Sequence, residues 1–140
     1  MLSSRPCPGT VVVVADDDDD LRSAVAEALR VEGYVVSEAR DGAELIEMLD
    51  QGSVLPDVIV ADVKMPRLSG FGVLQALGRA HRDVPVVLMT GFFADEPVSA
   101  LARRLGAVGV LRKPFDSDDL LTAVCNARHV VDARQAKHGS

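Results

Sequence analysis

The chain has 140 residues, nearly half of them apolar, and a formal net charge of −6. That is one domain with enough apolar mass for a core, so disorder is excluded, as is binding of nucleic acid by a basic patch. No apolar run approaches the ~18 residues of a membrane span, and the first eight residues hold no apolar signal-peptide core. Two cysteines, Cys7 in a tail and Cys125 on a helix, are too few for a disulfide framework. The chain reads as cytoplasmic.

From the N-terminus, residues 1–9 read as a flexible lead. Val11–Val14 is a buried strand that runs into the acidic stretch Asp16–Asp20. A helix follows, with apolar positions at Leu21, Ala24, Val25, Ala28 and Leu29, the stripe of a helix with one buried face. Gly33 ends it. Tyr34–Ala39 alternates weakly, as an edge strand does. Asp41-Gly42 turns into a short helix carrying Leu45, Ile46 and Leu49. Past Gly52-Ser53 and Pro56, Val58–Ala61 is a third strand and leads into Asp62. Pro66 and Ser69-Gly70 precede a helix with Val73, Leu74, Leu77 and Ala80. Pro85 introduces the strand Val86–Met89, which ends on Thr90 and Gly91. Pro97 opens a fourth helix with Val98, Leu101, Ala102 and Leu105, and Gly106 closes it. Val108–Leu111 is a short fifth strand before Lys113-Pro114. Asp116 caps a last helix, with Asp118 and Asp119 in its first turn and Arg128 and Arg134 toward its far end.

This alternation predicts an α/β fold, (βα)₅, a doubly wound parallel sheet with helices on both faces. The first, third and fourth strands are the most apolar, which makes them central. The second and fifth are edges, so the strand order is the flavodoxin-like 2-1-3-4-5. The domain is placed at 10–133, with 134–140 a polar tail or the start of a linker.

In such a sheet, ligand chemistry gathers beyond the carboxyl ends of the strands. Asp16, Asp17, Asp62, Thr90 and Lys113 all fall there. Paired carboxylates draw in a cation, and Mg²⁺ takes a few carboxylates with waters and phosphate oxygens. A further Asp serves as nucleophile, since aspartate forms acyl phosphates. Thr90 and Lys113 supply a hydroxyl and an ammonium for phosphoryl oxygens. Asp18, Asp19 and Asp20 read instead as a solvated loop and helix cap, and His81, His129 and His138 as surface residues.

Four segments carry a family resemblance together: Val13-Val14-Ala15-Asp16-Asp17-Asp18; Asp62-Val-Lys-Met-Pro66 with Gly70; Leu88-Met-Thr-Gly91; and Gly106-Ala107 with Leu111-Arg-Lys-Pro-Phe115. The chain resembles the receiver domain of two-component response regulators, in the single-domain form of chemotaxis regulators, over about residues 10–131. The resemblance implies that Asp62 accepts a phosphoryl group from a histidine kinase or histidine phosphotransfer protein. It implies Mg²⁺ on Asp17, Asp62 and the backbone carbonyl of Lys64, with Asp16 acting through water. It also implies phosphoryl contacts from Thr90 and Lys113 and a cis Lys113-Pro114 bond. Phosphorylation would then shift the face of helix 4, strand 5 and helix 5 toward a downstream protein target or a missing output domain, with a phosphorylation-dependent dimer as a further expectation. Such a domain catalyses only its own phosphorylation and dephosphorylation, and binds neither nucleic acid nor membrane.

Three departures from the family pattern stand out. Val110 occupies the position of the usual aromatic, which puts the family's aromatic–threonine switch in question; Phe92 or Phe93 are the candidates to replace it. Lys64 lies two residues after Asp62, where small or polar residues are common. No output domain follows. Two alternatives remain: a pseudo-receiver that binds partners without phosphorylation, and an aspartyl-phosphate phosphatase, which would want a second Asp where this chain has Lys64.

Overall fold

A computed structural model describes residues 9–80, 82–91 and 96–138. Five parallel strands, β1 (Val11–Ala15), β2 (Val35–Ala39), β3 (Val58–Asp62), β4 (Val86–Thr90) and β5 (Gly109–Arg112), alternate with five helices. The helices are α1 (Asp19–Val31), α2 (Gly42–Asp50), α3 (Gly70–Arg79), α4 (Glu96–Arg104) and α5 (Ser117–His138). The sheet order is β2-β1-β3-β4-β5, as expected.

The central strands are apolar throughout because both of their faces are covered, and the two-residue period of a strand sorts them into two cores. Val13, Ala15, Ile59, Ala61, Val86 and Leu88 pack with Leu45 and Leu49 of α2, with Val73, Leu74 and Leu77 of α3, and with Ala102 of α4. Val12, Val14, Val58, Val60, Val87 and Met89 pack on the other side with Val25 and Leu29 of α1 and with Leu120, Val124 and Ala127 of α5. Val35 on β2 is exposed, as befits an edge.

Several local expectations hold. Asp18 caps α1, its carboxylate accepting from the Leu21 N–H at 3.1 Å, with Asp19 and Asp20 in the first turn. Gly33 has a φ of 96° and Gly106 one of 108°. Asp116 accepts from the Asp119 N–H at 2.8 Å. Cys125 is buried, and His129 is exposed.

Two helices are phased differently from their expected stripes. In α1, Ala26 is buried and Ala24 exposed; in α4, Ser99 and Ala102 are buried and Leu101 is 39% exposed. In each helix a small side chain takes an inward position that the expected stripe did not give it. Ala80 is the exposed C-cap of α3. α5 continues to His138, so residues 134–138 extend the helix. The lead up to residue 8, Cys7, His81, Phe92 and Phe93 lie outside the described residues.

The β3–α3 connection is the tightest point of the fold. A Cβ on Gly70 would lie 2.6 Å from the Asp62 carbonyl oxygen and 2.9 Å from a Leu88 methyl. Gly78, eight residues on in the same helix, faces open space. Gly70→Ala is therefore expected to destabilise by about 1–3 kcal/mol through overpacking. Gly78→Ala should stabilise by about 0.4–1 kcal/mol. Urea unfolding of the two variants checks the contrast.

Candidate functional site

The strand order places β3 between β1 and β4, so Asp62 at the end of β3 is flanked by Asp16 just past β1 and by Thr90 at the end of β4. Register sets their level: Ala15 lies opposite Ala61, Asp62 opposite Met89, and Thr90 opposite Arg112. Lys113 follows β5, its N–H donating to the Thr90 carbonyl at 2.8 Å, ahead of a cis bond to Pro114.

One carboxylate oxygen from each of Asp16, Asp17 and Asp62 lies within 4.8 Å of the others. Asp16 and Asp62 are buried, and Asp17 is exposed at the mouth. The Lys113 ammonium sits 2.9 Å from Asp62 Oδ1 and 3.5 Å from Asp16 Oδ2. Burial pushes the Asp16 carboxyl above the usual carboxylate range. The Asp18 N–H opposes that shift, the charge of Asp62 adds to it, and the charge of Lys113 opposes it. Burial alone would pull the Lys113 ammonium down, but its bond to Asp62 and the charges of Asp62 and Asp16 outweigh that and leave it raised.

At this end of the sheet, two buried polar atoms have no hydrogen-bond partner among the described residues: Asp16 Oδ2, which makes only the long ion-pair contact to Lys113, and Thr90 Oγ1. A buried hydroxyl left unpaired costs about 1–3 kcal/mol. Both atoms border the acidic cluster by their strand positions, and both suit an incoming group that carries a cation and oxygens. The donor set, three carboxylates and no nitrogen or sulfur, fits a hard cation such as Mg²⁺. Lys64 is exposed, and with Asp17, Met65, Pro66 and Ser69 it lines an open cleft of about 680 Å³. Gly91 is exposed, with open space where a Cβ would stand. Val110 is half-buried and packs on the face of α2, α3 and α4.

Sequence reasoning missed Arg22. Its Nη1 donates to the Asp16 carbonyl at 2.9 Å, its Nε to Glu38 on β2 at 3.2 Å, and its Nη2 meets Asp19 at 2.8 Å. It ties the main chain of Asp16 to the edge strand. The available signal was an Arg two residues after the acidic run, one helical turn from Asp19. Asp41 and Arg67, joined at 2.9 and 3.0 Å, were also missed.

The response regulator receiver domain model matches residues 12–125. Among curated proteins, the transcriptional regulatory protein PdtaR of Mycobacterium tuberculosis is 39% identical over 114 residues, 81% of this chain and 54% of that protein. The C4-dicarboxylate transport transcriptional regulatory protein DctD of Pseudomonas aeruginosa is 38% identical over 121 residues, 86% of this chain and 26% of that protein. The chain thus spans 26% to 54% of the length of these relatives. Among solved structures, a response regulator receiver domain protein from Clostridium thermocellum superposes with a TM-score of 0.81 at 28% identity, covering 89% of this chain and 98% of that one. FixJ-N superposes with a TM-score of 0.79 at 27% identity, covering 88% and 96%.

The raised Asp16 carboxyl has a stability consequence. Its protonated form is favoured by folding, so its charged form destabilises progressively as pH rises from the unfolded value of about 3.9 through the folded value. Asp16→Asn is expected to raise the thermal midpoint at pH 7 without Mg²⁺. Where the acidic cluster takes Mg²⁺, the same substitution should also remove most of the stabilisation that the ion supplies. Melting scans with and without Mg²⁺ check both.

Proposed function

We infer the function of this chain from the family to which it belongs, the response regulator receiver domains, signalling domains of two-component systems. On our reading it is the phosphoacceptor switch of a two-component or phosphorelay system, with Asp62 as acceptor. The observation that carries this is the convergence of Asp16, Asp17 and Asp62 within 4.8 Å, with Lys113 at 2.9 Å from Asp62.

The donor would be the phosphohistidine of a histidine kinase or a histidine phosphotransfer protein. An Asp62 carboxylate oxygen attacks phosphorus in line. The new O–P bond forms as the P–N bond to imidazole breaks, and the imidazole leaves with the bonding electron pair. Asp16, Asp17, Asp62 and the Lys64 carbonyl are the residues that would hold Mg²⁺. When bound, it would neutralise the carboxylates and a phosphoryl oxygen. Lys113 transfers its contact from Asp62 to the phosphoryl oxygens, and the unpaired Thr90 hydroxyl donates to another. Most of the acceleration then comes from positioning and charge neutralisation.

The product state differs from the ground state at Thr90 and Lys113, which adjoin β5 and α4. The face of α4, β5 and α5 is the output surface on this reading, toward a downstream protein or an output domain. A phosphorylation-dependent dimer is one way that face would be used. The intact acidic, hydroxyl and ammonium set argues against a pseudo-receiver.

Intact mass after incubation with Mg²⁺ and a small acyl phosphate tests the core of this. One added phosphoryl group is expected on the unaltered chain and none on Asp62→Asn or in chelator. No adduct, together with no binding of a beryllofluoride mimic, would sink the proposal. Lys64, an exposed ammonium at the cleft, should also change the lifetime of the acyl phosphate. Lys64→Asn is expected to shift the dephosphorylation rate severalfold, and an unchanged rate would remove that role.

A further inference from the structure

The turn after Asp62 is shaped by a residue that no reacting group touches. Arg67 has a φ of 66°, in the left-handed region that a residue with a Cβ enters at a cost. The Leu68 N–H donates to the Pro66 carbonyl at 2.7 Å. That is the bond of a γ-turn centred on Arg67, and the form with positive φ is rare and strained. Glycine would adopt it freely, yet the chain has arginine here.

The arginine side chain reaches α2. Its Nε lies 2.9 Å from Asp41 Oδ2 and its Nη2 3.0 Å from Asp41 Oδ1, a two-pronged grip. Asp41 also caps α2, accepting from the Glu44 N–H at 2.8 Å. The bond to Arg67, and then that to Glu44, hold its carboxyl below the usual range. The contact has a second point, because a Cβ on Gly42 would run into the Leu68 carbonyl. At the far end of the turn, the Gly70 N–H donates to the Val63 carbonyl at 3.0 Å. Between these ties the turn forms one wall of the cleft that Asp17 also lines.

An exposed ion pair contributes little by itself, and Arg67 is 57% exposed. Here, however, the pair holds a strained backbone, and such strain persists only where surroundings over-determine it. We propose that the Asp41–Arg67 clamp positions the metal site, holding the 63–69 turn in the shape that keeps the Lys64 backbone beside the acidic cluster. The proposal rests on the Mg²⁺ reading above. Both residues are positioning residues, acting through the turn.

The test is the affinity of the full chain for Mg²⁺ alone, by titration calorimetry, in three single variants and one double. Arg67→Ala keeps the strain and loses the clamp. Arg67→Gly loses both. Asp41→Asn keeps a capping side chain for α2 but loses the charge. Long-range charge alone predicts opposite signs: losing a cation would tighten Mg²⁺ binding and losing an anion would weaken it. Positioning predicts that Arg67→Ala and Asp41→Asn both weaken it, each by about tenfold. The double variant should lose no more than either single one, and Arg67→Gly less than Arg67→Ala. Without metal, the Gly70 amide should exchange faster in Arg67→Ala and Asp41→Asn. Affinities within about twofold in all folded variants, or shifts of opposite sign, would overturn the clamp as a positioning device. No Mg²⁺ uptake by the unaltered chain would instead overturn the metal reading and take the clamp proposal with it.

Discussion

Three carboxylates crowd neighbouring strand ends, two of them buried, and the Lys113 ammonium is the cation that the fold sets against them. Parallel strands run about 4.8 Å apart, so carboxylates on adjacent ends cannot separate without breaking the sheet. Asp16 is fully buried and Asp62 nearly so. The Lys113 ammonium bonds to the second and touches the first, at 2.9 and 3.5 Å. One cation against three anions leaves the site net negative, and the Asp16 carboxyl is raised by its burial first and by the charges of Asp62 and Asp17 after it. The repulsion costs stability, the usual exchange where a fold holds a reactive site ready. A group that brings positive charge and oxygen atoms together relieves it.

That constraint explains what could be read directly from the chain. Apolar runs ending abruptly on Asp, Thr or Lys are legible because a buried strand tolerates polar residues only where it leaves the sheet. Hence Asp16, Asp62, Thr90 and Lys113 declare both the strand ends and the site. The strand order was legible as well, since Val58–Asp62 and Val86–Thr90 are buried throughout while Val35 lies open on an edge. Helix phase was less legible where the inward face is built of small residues. Ala24 and Ala26 carry equal signal in the sequence, and Ser99 turns inward where Leu101 had the stronger claim. The clamp was not legible at all. Asp41 and Arg67 stand 26 positions apart, and neither breaks a pattern. Only the positive φ of Arg67 exposes the turn, and φ is not a property of the sequence.

The chemistry near Asp62 also separates reaction classes. An aspartyl-phosphate phosphatase needs a second carboxyl two residues on, to protonate a leaving group and then activate water. Lys64 stands there, an exposed side chain with no carboxyl to fill both roles. The family match agrees with a switch rather than a turnover enzyme.

On the proposed reading, the readout of the switch runs through α4. Among its described side chains, only Ser99 and Ala102 are buried, while α3 buries Val73, Leu74 and Leu77. An element held by so little apolar contact shifts at small cost. Its ties to the site run through β5, where Thr90 is paired with Arg112 and Arg112 Nη2 reaches Ser99 Oγ at 3.3 Å. Val110, two residues earlier on the same face of β5, packs against the cluster that includes Ala102 of α4 and has no ring to swing. On the proposed reading, a hydroxyl drawn toward a phosphoryl group at Thr90 pulls on a strand whose next contact is α4. The signal then needs no aromatic at position 110, because the strand pairing and a single arginine already connect the reacting end of the sheet to α4.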